Sequence, residues 1–415
     1  MTNLREAHAH LVAHGRSASM VQLASARSAA DALERLRAGA DVLSPGAWLL
    51  GTGARPESWP ERGWPVLGEL DAAIPDRPVL AWCFDHHAVM VNSLALRATG
   101  IEDTTPDPAG GVIVRDRAGR PTGELLETAA LRAWSAVPEP TLAESRAHLE
   151  RALADLAALG FVEVHDLKSE WWLGPMLADL DREGRLPIAV HLYPLVDDLP
   201  GVAAGRRAWE SDRVRLAGGK VFTDGTLNSR TAWMLDPFVD PIPDHPRGTP
   251  MMTDGEIDAA IGACERLGLG LAAHAIGDGA VRAVLDAVER VCPRACRVRV
   301  EHAEIVDRAD VPRFARLGVV CSVQPCHLLT DVEALRRLLP HRLDRVLPLR
   351  ELIDAGCEPG RLLLFGSDTP IVRPDPADSI QAATARHRTG EPSEAAIARE
   401  QAVSEAEAWA CFAAS

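Results

Sequence analysis

Lysine is almost absent from this sequence. Of its 44 lysine and arginine residues, all but Lys168 and Lys220 are arginine. A guanidinium stays charged, whereas an amine can lose its proton and react. A lysine kept in such a chain is therefore a candidate for amine chemistry, although for Lys168 chance survival explains it equally well. Positive charge as a whole is in deficit, with a formal net charge of -15. An acidic surface repels phosphate backbones, so no nucleic-acid partner is expected. No apolar run reaches membrane-spanning length, so no membrane partner is expected either. The first residues show no basic stretch followed by an apolar one; a secretory signal is not expected, and the cytoplasm is the expected location. The eight cysteines include no C-x-x-C pair, which reads as buried free thiols in a reducing compartment.

What is present begins at residues 4–11, L-R-E-A-H-A-H-L. On a strand, residues i and i+2 share a face. His8 and His10 would then aim two imidazoles at one point, as a strand end does when it grips a metal. Alone, such a pair is weak. The segment 46–140 follows, rich in Pro, Gly and Trp (Trp48, Trp59, Trp64, Trp82), with a strand-like piece at 78–84 and a hairpin over 110–119. It reads as an inserted lid or substrate-binding subdomain. From Thr141 a regular alternation starts. Thr141 and Glu144 have capping-box spacing at the head of a helix over 142–159. Strands are expected at 161–166, 186–193, 214–222, 269–274, 297–302, 319–323 and 362–366. Helices are expected over 171–183, 256–267, 279–291, 311–317, 347–355 and 405–413. With the strand before His8 this makes eight βα units, hence an α/β fold, a (β/α)8 TIM barrel with a large insertion after strand 1. The whole chain, 1–415, is then one barrel. An open doubly wound sheet is the alternative, against which stands the lack of a Gly-rich phosphate turn after the first strand.

Barrel active sites lie at the C-terminal strand ends. Six residues collect there: His8 and His10 after strand 1, Lys220 on strand 4, His274 after strand 5, His302 after strand 6 and Asp368 after strand 8. A single strand-end histidine is ordinarily structural; this set at one end of successive strands is not. Imidazoles and carboxylates ligate Zn and similar cations. Two metals need a bridging anion, and a lysine that has reacted with CO2 is a carbamate, a long carboxylate; that would account for Lys220 not being arginine. A divalent metal lowers the pKa of bound water toward about 7, and Asp368 is the candidate to take that proton and pass it to a leaving group.

At this point the sequence resembles the amidohydrolase superfamily, in its family 3 branch, which includes D-aminoacylases. The matching stretches are E-A-H-A-H-L (6–11), H-H-A-V-M-V-N-S-L-A-L (86–96), G-K-V-F-T-D-G-T-L-N-S-R-T-A (219–232), H-A-I-G-D-G-A-V (274–281), R-V-E-H-A-E (299–304), S-V-Q-P (322–325) and F-G-S-D-T-P (365–370). The resemblance implies a binuclear centre, with His8, His10 and Asp368 on one metal, His274 and His302 on the other, and carbamylated Lys220 between them. Two Zn ions are the expected cofactors, with Mn, Fe or Co as substitutes. It also implies that His86, His87 and Arg230 face the substrate. The family's β-sandwich, built from flanking segments, is expected to be missing here. The barrel face it would cover is then free for a homodimer, which sedimentation at micromolar concentration checks.

Gln324, at the end of strand 7, is a candidate to hydrogen-bond substrate, and His327 has similar placement. His165 and His191 read as packed strand residues, and Asp224 and Asp278 as turn formers in D-G contexts. The expected activity is metal-dependent hydrolysis of a C–N bond (amide, carbamate or cyclic amide) of a small molecule. A mononuclear hydrolase or deaminase is the alternative among enzymes. A catalytically inactive small-molecule-binding relative is the alternative outside them, although such a scaffold has no chemical need of six filled ligand positions.

Overall fold

The computed structural model describes residues 3–44, 46–84, 88–108, 111–242 and 244–414. The chain divides into two compact units, Met1–His14 with Leu149–Ser415, and Gly15–His148.

The first unit is built on two parallel sheets. One has the order β1 (Leu4–Ala9), β2 (Phe161–Leu167), β3 (Ala189–Tyr193), β4 (Val214–Leu216). The other runs β5 (Gly218–Phe222), β6 (Gly270–Ala275), β7 (Val298–His302), β8 (Val320–Val323), β9 (Leu363–Phe365). The expected strand at 214–222 is thus two strands. Between them, Ala217 donates its N–H to Leu192 on the first sheet and accepts from Gly270 on the second, so the chain crosses from one sheet to the other there. Gly218 permits the crossing, because a Cβ on it would stand 2.4 Å from the Gly270 carbonyl oxygen. Single bridges join the sheets' outer parts, Leu195 with Lys220 and Ala9 with Thr369.

Helices separate the strands, and their ends follow the local chemistry. Thr253 and Glu256 cap Asp254–Leu267 reciprocally, and Gly268 closes it in a left-handed turn at φ +65°. Among the helices without a sequence expectation are His327–Leu338 and Pro376–Ala385. One apolar cluster, containing Leu153, Leu177, Ile257, Val284, Phe314 and Leu352, packs the helices onto the outer faces of the strands. Burial of this kind is the main favourable term in folding.

The second unit carries a six-stranded sheet of its own, in the order Val21–Gln22, Leu49–Ala54, Val79–Cys83, Ala88–Val91, Pro121–Glu127, Gly111–Arg115. The first three strands are parallel and the rest antiparallel. The unit is wider than 46–140, because Leu23 and Leu36 share a core with Leu49, Leu70 and Val79. The hairpin turn is held by Asp116, which accepts from the N–H groups of Ala118 and Arg120. Among the described residues, no helix is long and apolar enough to cross a membrane.

Glu6 on β1 is pinned across to the chain after β9. Its Oε1 accepts from the N–H of His8 at 3.0 Å and of Ser367 at 2.9 Å, while its Oε2 is buried with no partner. Burial raises this carboxyl from the ordinary 4.5 to about 7. Between those values the folded chain binds more protons than the unfolded one, so stability falls as pH rises through that window. In metal-free protein, unfolding free energy should fall by on the order of 2 kcal/mol between pH 5 and 7.5, and Glu6→Gln should flatten that slope. An unchanged slope in chemical denaturation would assign the proton to another group.

Candidate metal centre

The strand register sets the site. Lys220 pairs with Ala272, His274 with Glu301 and Ala275 with His302. Lys220 thus starts two residues below His274 along the sheet, while His274 and His302 lie at the ends of adjacent strands, one residue apart in register. Asp368 follows β9, and its N–H donates to the His8 carbonyl at 2.8 Å, which brings it over β1. His302 and Asp368 both adopt left-handed backbone, φ +72° and +61°. Non-glycine residues in that region carry strain of order 1–3 kcal/mol and concentrate at functional sites.

His8 Nε2 lies 3.2 Å and His10 Nε2 3.0 Å from the same oxygen, Asp368 Oδ1. Ligand atoms of these three residues fall within 4.8 Å of one another. Each imidazole is oriented from behind. His8 Nδ1 meets Glu301 Oε2 at 2.8 Å and His10 Nδ1 meets the Leu167 carbonyl at 2.6 Å. With Nδ1 donating to these oxygens, Nε2 is the ring nitrogen left facing Asp368, the one a metal-binding histidine offers. His302 continues the group, its ring 4.9 Å from that of His8 and 4.4 Å from that of His274. His274 turns Nε2 toward the Gly225 carbonyl at 3.0 Å, which leaves Nδ1 as its free lone pair.

Lys220 stands among them fully buried, and its Nζ has no hydrogen-bond partner. A buried ammonium without a partner is costly, and burial lowers this amine from 10.5 to about 8. Burial, then Lys220, lowers His274 to about 3. Burial together with His274 and His8 holds His302 well below its usual value. Both rings are therefore neutral, as ligands must be. Burial alone would raise Asp368, but His8 and His10 outweigh it and keep the carboxyl well below the ordinary range. The donor set, the imidazoles of His8 and His10 on one carboxylate with those of His302 and His274 and an orphaned amine beside them, suits a divalent cation of the Zn type.

Arg299 supports the centre from below. Its guanidinium is ion-paired to Glu301 and donates to the Ala7 carbonyl at 2.6 Å and the Ser322 hydroxyl at 2.9 Å. It also meets His165 Nδ1 at 2.6 Å. An arginine can only donate, so Nδ1 accepts, and His165 Nε2 carries the proton toward Glu163 Oε1 at 3.0 Å. The nearby group Glu163, His165 and His191 has metal-like spacing, but that tautomer leaves His165 no lone pair to offer. His165 stacks on His191, centroids 4.9 Å apart, and both are packing residues.

The remaining candidates divide. Gln324 joins the centre, with Nε2 at 3.4 Å from His8 Nδ1. His327 holds the Ser367 carbonyl at 3.1 Å. Arg230 is turned to Asp240, at 3.0 Å, and touches none of the six. Asp224 accepts from the N–H groups of Trp233, Ile276 and Gly277, and Asp278 pairs with Arg342; both tie loops together. Lys168 is exposed. His86 and His87 lie outside the described residues. Sequence reasoning missed Glu6, two residues before His8, and Arg299 and Glu301, three residues and one residue before His302. The signal was the charge pattern R-x-E on a buried strand, where an unpaired charge is not tolerated.

The Amidohydrolase family model matches residues 4–413. YtcJ of Bacillus subtilis (strain 168) is 31% identical over 402 residues, covering 93% of this chain and 73% of that protein. The N-substituted formamide deformylase of Arthrobacter pascens is 28% identical over 383 residues, 86% of this chain and 68% of the enzyme. The crystal structure of an uncharacterized metal-dependent hydrolase from Pyrococcus horikoshii OT3 superposes with a TM-score of 0.78 at 29% identity, covering 98% of this chain and 79% of that one.

Because Glu301 orients His8 from behind, Glu301→Gln should weaken divalent-metal binding by about 10–100-fold in a chelator competition titration. Unaltered affinity would mean that His8 is held without it.

Proposed function

The chain belongs to the Amidohydrolase family, and from that premise we propose a metal-dependent hydrolase that cleaves the C–N bond of a small-molecule amide, carbamate or cyclic amide. The observation that carries this reading is the convergence of His8, His10 and Asp368 with both imidazole tautomers fixed. The two parallel sheets then form one (β/α)8 barrel, whose strands deliver these groups to a common end. The likeness to an N-substituted formamide deformylase favours an amide, and N-formyl amines are the first class to screen.

In this reading His8, His10 and Asp368 would hold one divalent cation, most simply Zn, and His274 and His302 would hold a second, with Lys220 as a carbamate adding its oxygens to the donor set. Its buried, partnerless amine with a lowered pKa supports this, since only a neutral amine adds to CO2. A bound cation supplies Lewis acidity and an acidified water at neutral pH. Asp368 accepts the proton as water adds to the substrate carbonyl, and returns it to the departing nitrogen. Gln324 hydrogen-bonds the substrate. We assign 46–140 to substrate binding as an inserted segment, and His86, His87 and Arg230 on the family resemblance alone; Arg230 must then leave Asp240. A mononuclear enzyme is the second reading. It is favoured by the cluster geometry, in which His274 and His302 do not join the three close ligands among the described residues.

Asp368→Asn should keep the fold and lower turnover of a hydrolysed amide by roughly three orders of magnitude. Activity near that of the unaltered enzyme would remove Asp368 from this role.

A further inference from the structure

Three buried acids in this chain have an arginine beside them: Glu301 pairs with Arg299, Asp278 with Arg342, and Asp310 with Arg282 and Arg313. Others, such as Asp224, are held by backbone N–H groups. Among the described residues, Glu304 has neither. It is only 6% exposed, its Oε1 is buried without a hydrogen bond, and among the described residues no lysine or arginine pairs with it. The neighbours within its electrostatic reach are two more carboxylates, Asp331 and Asp224. Desolvating a carboxyl without a partner is expensive, and two like charges nearby increase the cost.

The place of this residue is informative. Glu304 follows His302 by two residues, beyond the end of β7. Asp331 lies on the helix His327–Leu338, four residues after His327 and so on the same helix face. The His327 ring is 6.2 Å from that of His302. Asp224 Oδ1 is 3.5 Å from His274 Nε2. The three carboxylates thus come from three different segments beside the His274–His302 side of the centre. They are not equivalent. Asp224 is satisfied by three backbone N–H groups, and Asp331 accepts from Asn228 at 2.8 Å. Glu304 alone is unpartnered.

We propose that Glu304, with Asp331 beside it, binds a cationic nitrogen of the substrate: an ammonium, amidinium or guanidinium group remote from the bond that is cut. This rests on the hydrolase reading and narrows its substrates to amides or carbamates that carry a positive charge. An organic cation suits the place better than a third metal. Metal-like spacing of three ligand atoms occurs among the described residues only at His8, His10 and Asp368 and at Glu163, His165 and His191. A guanidinium or ammonium, by contrast, donates hydrogen bonds to carboxylate oxygens without needing a third ligand, and its charge offsets that of one acid.

Two near-isosteric probes test this by calorimetry on the metal-loaded protein: butylguanidinium, which is charged, and N-butylurea, which is not. The unaltered protein should bind butylguanidinium at least about tenfold more tightly. In Glu304→Gln, which keeps the shape of the side chain, the preference should fall to within about twofold, and in Asp331→Asn it should shrink partly. Equal binding of the probes, binding of neither, or a full preference kept in both variants overturns the proposal. Hydrolysis is scored separately on N-formyl amines. A charge preference without hydrolysis of any amide counts against the hydrolase reading and leaves the cation site standing.

Discussion

The centre depends on one buried chain of contacts, Arg299 to Glu301 to His8. All three are almost fully buried, and each makes the next tolerable. Glu301 is a carboxylate that burial would raise, yet Arg299 and His8 together hold it well below its ordinary range. Breaking such a buried pair from one side costs about 3–5 kcal/mol, because it strands a charge. Arg299 also ties β7 to β1 through Ala7 and to β8 through Ser322. The residue that fixes the His8 tautomer is therefore held by the same group that locks three strands together. Stability and ligand geometry share one set of atoms here.

Around that chain, burial and charge act in opposite directions on different groups. Desolvation makes His274 and His302 neutral and pulls the Lys220 amine down, so that it loses its proton more readily. Neighbouring imidazoles keep Asp368 ionised against the same desolvation. The outcome is a set of ring nitrogens and an amine gathered around one carboxylate, a donor set that suits a cation. The strained backbone at His302 and Asp368 belongs to the same bargain.

Most of this was legible in the residues. His8, His10, His274, His302 and Asp368 were visible because they close strand-like runs, and Lys220 because lysine is so rare in the chain; the structure brings them near one another. The split at Ala217 was not visible. A run of strand-forming residues carries no mark of which sheet it joins, and only the Gly218–Gly270 approach reveals it. The parallel start of the second sheet at Val21 and Leu49 was hidden by short strands among turn residues. Arg230 matched a family stretch, but local pairing with Asp240 turned it aside. Glu301 and Glu304 flank a conspicuous histidine; their burial, and so their meaning, follows from packing that spacing alone does not encode.

The central claim is a bridged pair of metal ions on this constellation. Elemental analysis of protein purified without chelators, with Lys220→Ala measured beside it, tests it most directly. The account predicts about two divalent ions per chain, falling in the variant while the fold is retained. A single ion indifferent to Lys220, or no metal at all, would contradict it.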